Sequence, residues 1–170
     1  MYVAAFSTAT GRDAVYKATS VSPLTFPPAA AKHFRREWLE GFDILYFHLH
    51  GVESQPYWYG DGMITAMSAT QIRDCNLSGH IAFVANCFGG GSEMAAALHD
   101  AGAVIVAGPG RNFTARNAVR GADRLGMHFI RAIKAGKPPI EALADAKRRI
   151  RWLAWFSPLE RDALNFSLEV

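Results

Sequence analysis

Asp43-Ile44-Leu45-Tyr46-Phe47-His48-Leu49-His50-Gly51 and His80-Ile81-Ala82-Phe83-Val84-Ala85-Asn86-Cys87-Phe88-Gly89-Gly90-Gly91 are the two stretches from which the fold is read. Each is a short, nearly continuous apolar run that stops at glycine, the pattern of a strand buried on both faces of a parallel sheet. In open α/β sheets ligands bind outside the carboxyl edge of the strands. The runs deliver His50 and Cys87 to that edge. Cysteine reacts as the thiolate, and a neighbouring imidazole is a common means of generating it, so the pair points to nucleophilic catalysis. Free cysteine is equally a common core residue. What favours reactivity at Cys87 is the Phe88 and triple glycine that follow it, because glycine stands where backbone turns tightly or approaches a ligand. Cys75 lacks that setting. It follows Ser68 and Gln71, which have capping-box spacing, and reads as helical packing.

Working outward, residues 2–6 predict a first strand, and residues 8–28, rich in Ser, Thr, Gly and Pro, predict a loop. Residues 29–40 place Ala31, Phe34, Trp38 and Leu39 at helical spacing, with Gly41 as a stop. Residues 52–62 are polar and aromatic and predict a loop bordering a pocket. Beyond Cys87, Gly89 to Ser92 opens a helix to His99 or Asp100, and residues 103–107 form another buried strand. Thr114 caps a long helix to about Ala135 with Val119, Ala122, Leu125, Phe129 and Ile133 turned inward. Pro138 and Pro139 start a last helix with Ile140, Leu143, Ala146 and Ile150 toward the core and Lys147, Arg148, Arg149 and Arg151 in its final turns. Leu164, Phe166, Leu168 and Val170 alternate with polar residues, the period of a strand. Strands alternating with helices predict an α/β fold, a mostly parallel sheet with helices on both faces.

The chain has 170 residues, half of them hydrophobic, enough for one sizeable core in a single domain. Its net charge of +3 and pI near 9.0 do not by themselves announce a nucleic-acid partner. Two cysteines are too few for a disulfide framework, and residues 1–7 lack the basic and apolar regions of a secretory signal. A cytoplasmic location is expected. No apolar stretch reaches the roughly 20 residues that span a bilayer, so no membrane partner is expected. Arg116, Arg120 and Arg124 recur at i, i+4 and i+8 with Arg111 ahead of them. Without interleaved aromatics this row reads as a solvated helical face rather than a nucleic-acid stripe.

With these elements in order, the chain resembles the caspase-like cysteine peptidases, and within them the CHAT-domain branch. His50-Gly51 matches the family's histidine at a strand end, and Ala85-Asn86-Cys87 its nucleophile at the end of the next long strand. Residues 64–72 resemble the CHAT segment leading to Leu77-Ser78-Gly79, and Ala101-Gly102-Ala103-Val104-Ile105-Val106 resembles its Ala-Gly-Ala strand. Residues 129–143 resemble the closing helix pair, so the likeness runs from about Ala29 to Trp152. Asn86 stands where Ala or Ser is usual, and Phe88-Gly89 replaces an acidic-Thr-Gly sequence.

The resemblance implies a three-layer, Rossmann-like sandwich and hydrolysis of peptide bonds by a Cys87 nucleophile with His50 as the base or the proton donor to the leaving amine. It also implies an oxyanion hole from the backbone N–H groups of Gly51 and Cys87. It requires no metal and no cofactor. Its partner is a polypeptide substrate, with a separate recognition or regulatory protein or a larger assembly as the alternatives for its delivery. Glu53 or Asp61 is a candidate for holding a basic substrate side chain, and Arg111 or Arg116 for an acidic one. His48, two residues from His50, is expected on the same strand face as support or packing. The competing reading is a non-catalytic caspase-like interaction domain, or a binder of a small anion at the helix opened by Gly89 to Ser92.

Overall fold

Residues 1–112 and 118–169 are described by the computed structural model. The first strand, β1 (Val3–Thr8), is buried along its whole length. It leads into a helix, α1 (Arg12–Thr19), and a short strand, β2 (Leu24–Phe26), where the sequence predicted only loop. The correction has a tertiary cause. Ala14, Val15 and Ala18 make one narrow apolar face that is buried, while β2 completes its hydrogen bonding by lying parallel to β1.

The helix predicted over residues 29–40 is also corrected. It is a 3-10 turn at Ala31–His33 and a single helical turn, α2 (Glu37–Glu40), separated by Phe34 in an extended conformation. Phe34 and Trp38 meet edge to face at 5.9 Å, and Trp38 meets Phe26 at 6.1 Å. Aromatic packing of this kind outweighs the modest preference of so short a segment for helix.

Strand β3 (Ile44–His48) is fully buried. The chain bends at Leu49 and then forms a separate small antiparallel sheet from β4 (His50–Gly51), β5 (Tyr57–Tyr59) and β6 (Thr65–Ser68). The predicted loop over residues 52–62 therefore contains a strand. The Ser68 and Gln71 capping box is present and opens α3 (Ala69–Arg73). Strand β7 (Ile81–Val84) precedes α4 (Glu93–Asp100), capped by Ser92, and β8 (Val104–Ala107) follows.

The long helix, α5 (Ala122–Lys134), begins well after Thr114, which with Arg116 lies outside the described residues. Gly121 at φ 55° is in the left-handed region and ends the helix there, so Val119 is not helical and Arg120 and Arg124 do not continue one helical row. Helix α6 (Pro139–Ile150) buries Leu143, Ala146 and Ile150 as predicted. Ile140 is corrected from core to surface, 70% exposed, in the first turn of α6. One more helix follows, α7 (Pro158–Ala163), and the tail strand is only β9 (Ser167–Glu169).

The main sheet has the order β2-β1-β3-β7-β8-β9, parallel except for β9. One core layer packs α3 and α4 residues such as Ile72, Met94 and Leu98 against Leu45, Phe47 and Val84. The other packs α1, α5 and α6 through Val15, Leu125, Phe129 and Ala146 against Tyr46 and Phe83. The rings of Tyr46, Phe83 and Phe166 stack in series at 5.4 Å. This is the three-layer sandwich expected from the sequence. The parallel pairing of β3 with β7, from Ile44 with Ile81 to Phe47 with Val84, brings both strand ends to one edge.

Candidate active site

At that edge the backbone after β3 is tied to the backbone after β7. The Leu49 N–H donates to Asn86 Oδ1 at 2.7 Å, and the Ala85 N–H donates to the Phe47 carbonyl at 2.8 Å. Gly51 lies so close to the Cys87 main chain that a side chain there would run into the Cys87 carbonyl oxygen. Only glycine permits this approach. His50, the neighbour of Gly51, thus stands at the same edge as Cys87 and is exposed, while Cys87 is half-buried.

A third segment closes on the thiol. The Cys87 thiol donates to the Asn112 carbonyl at 3.3 Å, and the Asn112 N–H reaches Cys87 Sγ at the same distance. The Asn112 side chain donates to the Asn86 carbonyl at 2.8 Å. Backbone bonds from Phe88 to Gly110 (2.7 Å) and from Gly90 to Gly108 (2.8 Å) join the same two loops. Phe88 itself is left-handed at φ 51°. A bulky residue in that region stores strain on the order of 1–3 kcal/mol, and such strain concentrates at functional turns.

His48 does not share a face with His50, because the bend at Leu49 separates them into different sheets. It is buried, with Nδ1 3.9 Å from Asp123 Oδ1. Asp123 is wholly buried in the first turn of α5 and accepts a hydrogen bond from the Tyr46 hydroxyl at 2.5 Å. Burial raises the Asp123 pKa, against the opposing pull of His48 and the Tyr46 bond. Burial, then the nearby Asp123 charge, also holds the Tyr46 hydroxyl well above its usual range. A polar cluster thus lies beneath the edge that carries His50.

The specificity candidates separate. Glu53 borders a cleft of about 410 Å³ with Ser54, Phe88, Gly90, Glu93 and Pro109, of which Phe88 is the chain neighbour of Cys87. Asp61 is occupied elsewhere, accepting from the Thr10 hydroxyl at 3.0 Å and the Thr10 N–H at 3.2 Å. Arg111 is exposed beside Asn112, and Arg116 lies outside the described residues. Cys75 is buried just past α3, its thiol on the Gln71 carbonyl, and burial pushes it up to about 11. The predicted packing role suits it.

Asn112, Asp123 and Glu169 were not singled out from the sequence. Glu169 accepts from the Gly91 N–H at 3.2 Å, setting a carboxylate against the loop that opens α4. Each acts across a large sequence separation, and no local spacing announces such a contact. Among the described residues no group of His, Cys, Asp and Glu side chains is arranged to hold a metal ion. No described helix is long and apolar enough to cross a membrane.

No family model matches the chain, and no curated protein matches it. Among solved structures, it is similar to the crystal structure of the Arg-specific cysteine proteinase gingipain R, with a TM-score of 0.64 at 13% sequence identity. The match covers 96% of this chain and 44% of that one, so the chain spans less than half the length of that proteinase. At this identity the likeness establishes the fold, a caspase-like α/β sandwich.

Proposed function

We propose that the chain is a cysteine peptidase with Cys87 as nucleophile and His50 as its acid–base partner. The observation that supports this reading is the approach of Gly51 to the Cys87 main chain at the carboxyl edge of a caspase-like sheet. His50 takes the Cys87 thiol proton as the sulfur adds to the substrate carbonyl carbon, and negative charge develops on the carbonyl oxygen. N–H groups of Gly51 and Cys87 hold that charge in the tetrahedral intermediate, a contribution on the order of 10²–10³ in rate per donor. His50 gives its proton to the departing amine as the carbon–nitrogen bond breaks, leaving a thioester. It then takes a proton from water, whose oxygen attacks the thioester, and returns that proton to the sulfur as the C–S bond breaks and the acid is released.

For the residue before the scissile bond we propose a basic side chain held by Glu53 in the adjoining cleft. The second carboxylate there, Glu93, is paired with Arg73 at 2.8 Å, which leaves Glu53 as the better partner. The order of motifs after residue 64 supports the CHAT branch, whose domains act on polypeptides with the help of recognition partners. The thiols of Cys75 and Cys87 are both unpaired, which suits a reducing cytoplasm. An anion-binding role for the α4 end is less well supported, since the Glu169 carboxylate already takes the Gly91 N–H.

A positional library of fluorogenic peptides tests the proposal. Cleavage after Arg or Lys by the native chain, abolished in Cys87→Ala and weakened for basic residues in Glu53→Gln, is the expected outcome. Turnover that persists in Cys87→Ala defeats the nucleophile assignment, and preference for acidic residues transfers specificity to the Arg111 side.

A further inference from the structure

Three large aromatic side chains stand together in water at the far end of α6. The chain continues helically from α6 through a 3-10 turn at Leu153–Trp155 to Phe156. Trp152 and Trp155, at i and i+3 of a 3-10 turn, therefore stand on one side of it, and Phe156 follows Trp155 directly. They are 63%, 80% and 85% exposed, whereas Ala154, next to Trp155 in the chain, is buried. At the usual size of such rings this leaves on the order of 400 Å² of aromatic surface in water, comparable to the largest apolar patch of an ordinary monomer, which is often functional.

Arg148 and Lys137 are both paired with Asp145, and Arg124 with the buried Glu160. Arg151 and Arg161 instead flank a recess of about 340 Å³ whose floor is Ala154, Trp155 and Leu164. Arg161 Nε donates to the Ala154 carbonyl at 3.3 Å, which fixes its guanidinium at the wall. Among the described residues no carboxylate lines the recess.

Two guanidinium groups over an apolar floor match a carboxylate side chain next to an apolar one, because the planar fork binds carboxylates through paired hydrogen bonds. Trp and Arg are also the residues that dominate binding hot spots. We infer that the face formed by Trp152, Trp155, Phe156, Arg151 and Arg161 docks an acidic polypeptide segment of a partner protein, anchored by an apolar side chain in the recess. A bilayer surface meets protruding side chains but does not fill a recess, which favours the polypeptide. This inference is independent of the peptidase chemistry.

The test pans displayed random peptides of about 12 residues on the native chain in parallel with Trp155→Ala/Phe156→Ala and Arg151→Ala/Arg161→Ala, each checked for native circular dichroism. The native chain is expected to select peptides with Asp or Glu beside Leu or an aromatic residue. A synthetic copy should bind at least about tenfold more weakly to both double variants, and more weakly still as salt rises to about 0.5 M. Cys87→Ala should leave its binding unchanged, which separates this face from the active site. Failure to select patch-dependent acidic peptides overturns the inference. So does patch-dependent binding to phosphatidylcholine vesicles carrying about 30% phosphatidylserine in place of peptide, which makes the face a lipid contact. Self-association lost in Trp155→Ala/Phe156→Ala, without peptide binding, assigns it to a second copy and overturns the inference equally.

Discussion

The side chain of Asn86 accepts a hydrogen bond from the backbone N–H of Leu49 at 2.7 Å, and this bond fastens the end of β3 to the end of β7. Asn86 is buried, and it stands immediately before Cys87 while Leu49 stands immediately before His50. One side chain therefore sets the spacing of the two residues proposed to react.

Asn86→Ala leaves a buried N–H without its acceptor, which costs about 1–3 kcal/mol. Urea unfolding should register that loss. Peptidase turnover should fall further than the loss of folded protein explains, through kcat more than KM, because misplacement by about 1 Å can cost on the order of 10² in rate. Full turnover in a destabilised variant shows the clamp to be purely structural.

Thiol alkylation near neutral pH should modify Cys87 first. Burial pushes Cys75 up to about 11, so its reactive thiolate is scarce at that pH, whereas Cys87 is only half-buried at a loop-lined edge. Mass mapping of the folded chain after brief exposure to iodoacetamide checks the order. Faster labelling of Cys75 counts against Cys87 as nucleophile.

His50→Ala and His48→Ala should fail in different ways. Loss of a positioned acid–base group lowers turnover by about 10²–10⁴ with the fold intact, which is expected at exposed His50. His48 lies 3.9 Å from the buried Asp123, so its removal should lower the melting temperature while the remaining folded fraction still turns over. Equal kinetic losses with unchanged melting temperatures would make both imidazoles part of the chemistry.

Asp123 gives the native state a definite pH dependence. Its carboxyl is raised by burial above the unfolded value near 3.9, so the native state holds the proton more tightly. The stabilisation from that neutral form is complete below a pH of about 4 and is lost as pH rises through the native pKa, with a slope of at most about 1.4 kcal/mol per pH unit. Asp123→Asn lacks this titration. The stability of the native chain minus that of Asp123→Asn should therefore decline as pH rises from about 4, measured by urea unfolding. A flat difference refutes the assignment.

Much of the architecture is legible in the sequence because strands buried on both faces must be apolar throughout. The runs ending at His48 and Val84 and the strand Val104–Ala107 declare themselves locally, as do the Ser68 and Ser92 caps. Glycine beside histidine and cysteine beside glycines likewise direct attention to His50 and Cys87 from composition alone. Short elements escaped for the opposite reason. Helix α1 and strands β2 and β5 are too brief to carry a period, and each is stabilised by a neighbour distant in sequence.

The setting of the candidate site was decided by tertiary structure. Asn112 meets Cys87 across 25 positions, Tyr46 meets Asp123 across 77, and Glu169 meets Gly91 across 78. Which imidazole faces solvent was settled in the same way, since alternation along one strand puts His48 and His50 on one face until the bend at Leu49 divides them between two sheets. Periodicity records the side on which a residue will be buried. It does not record the partner that chain crossing brings there, because polar contacts made at long range leave no spacing in the sequence around either partner.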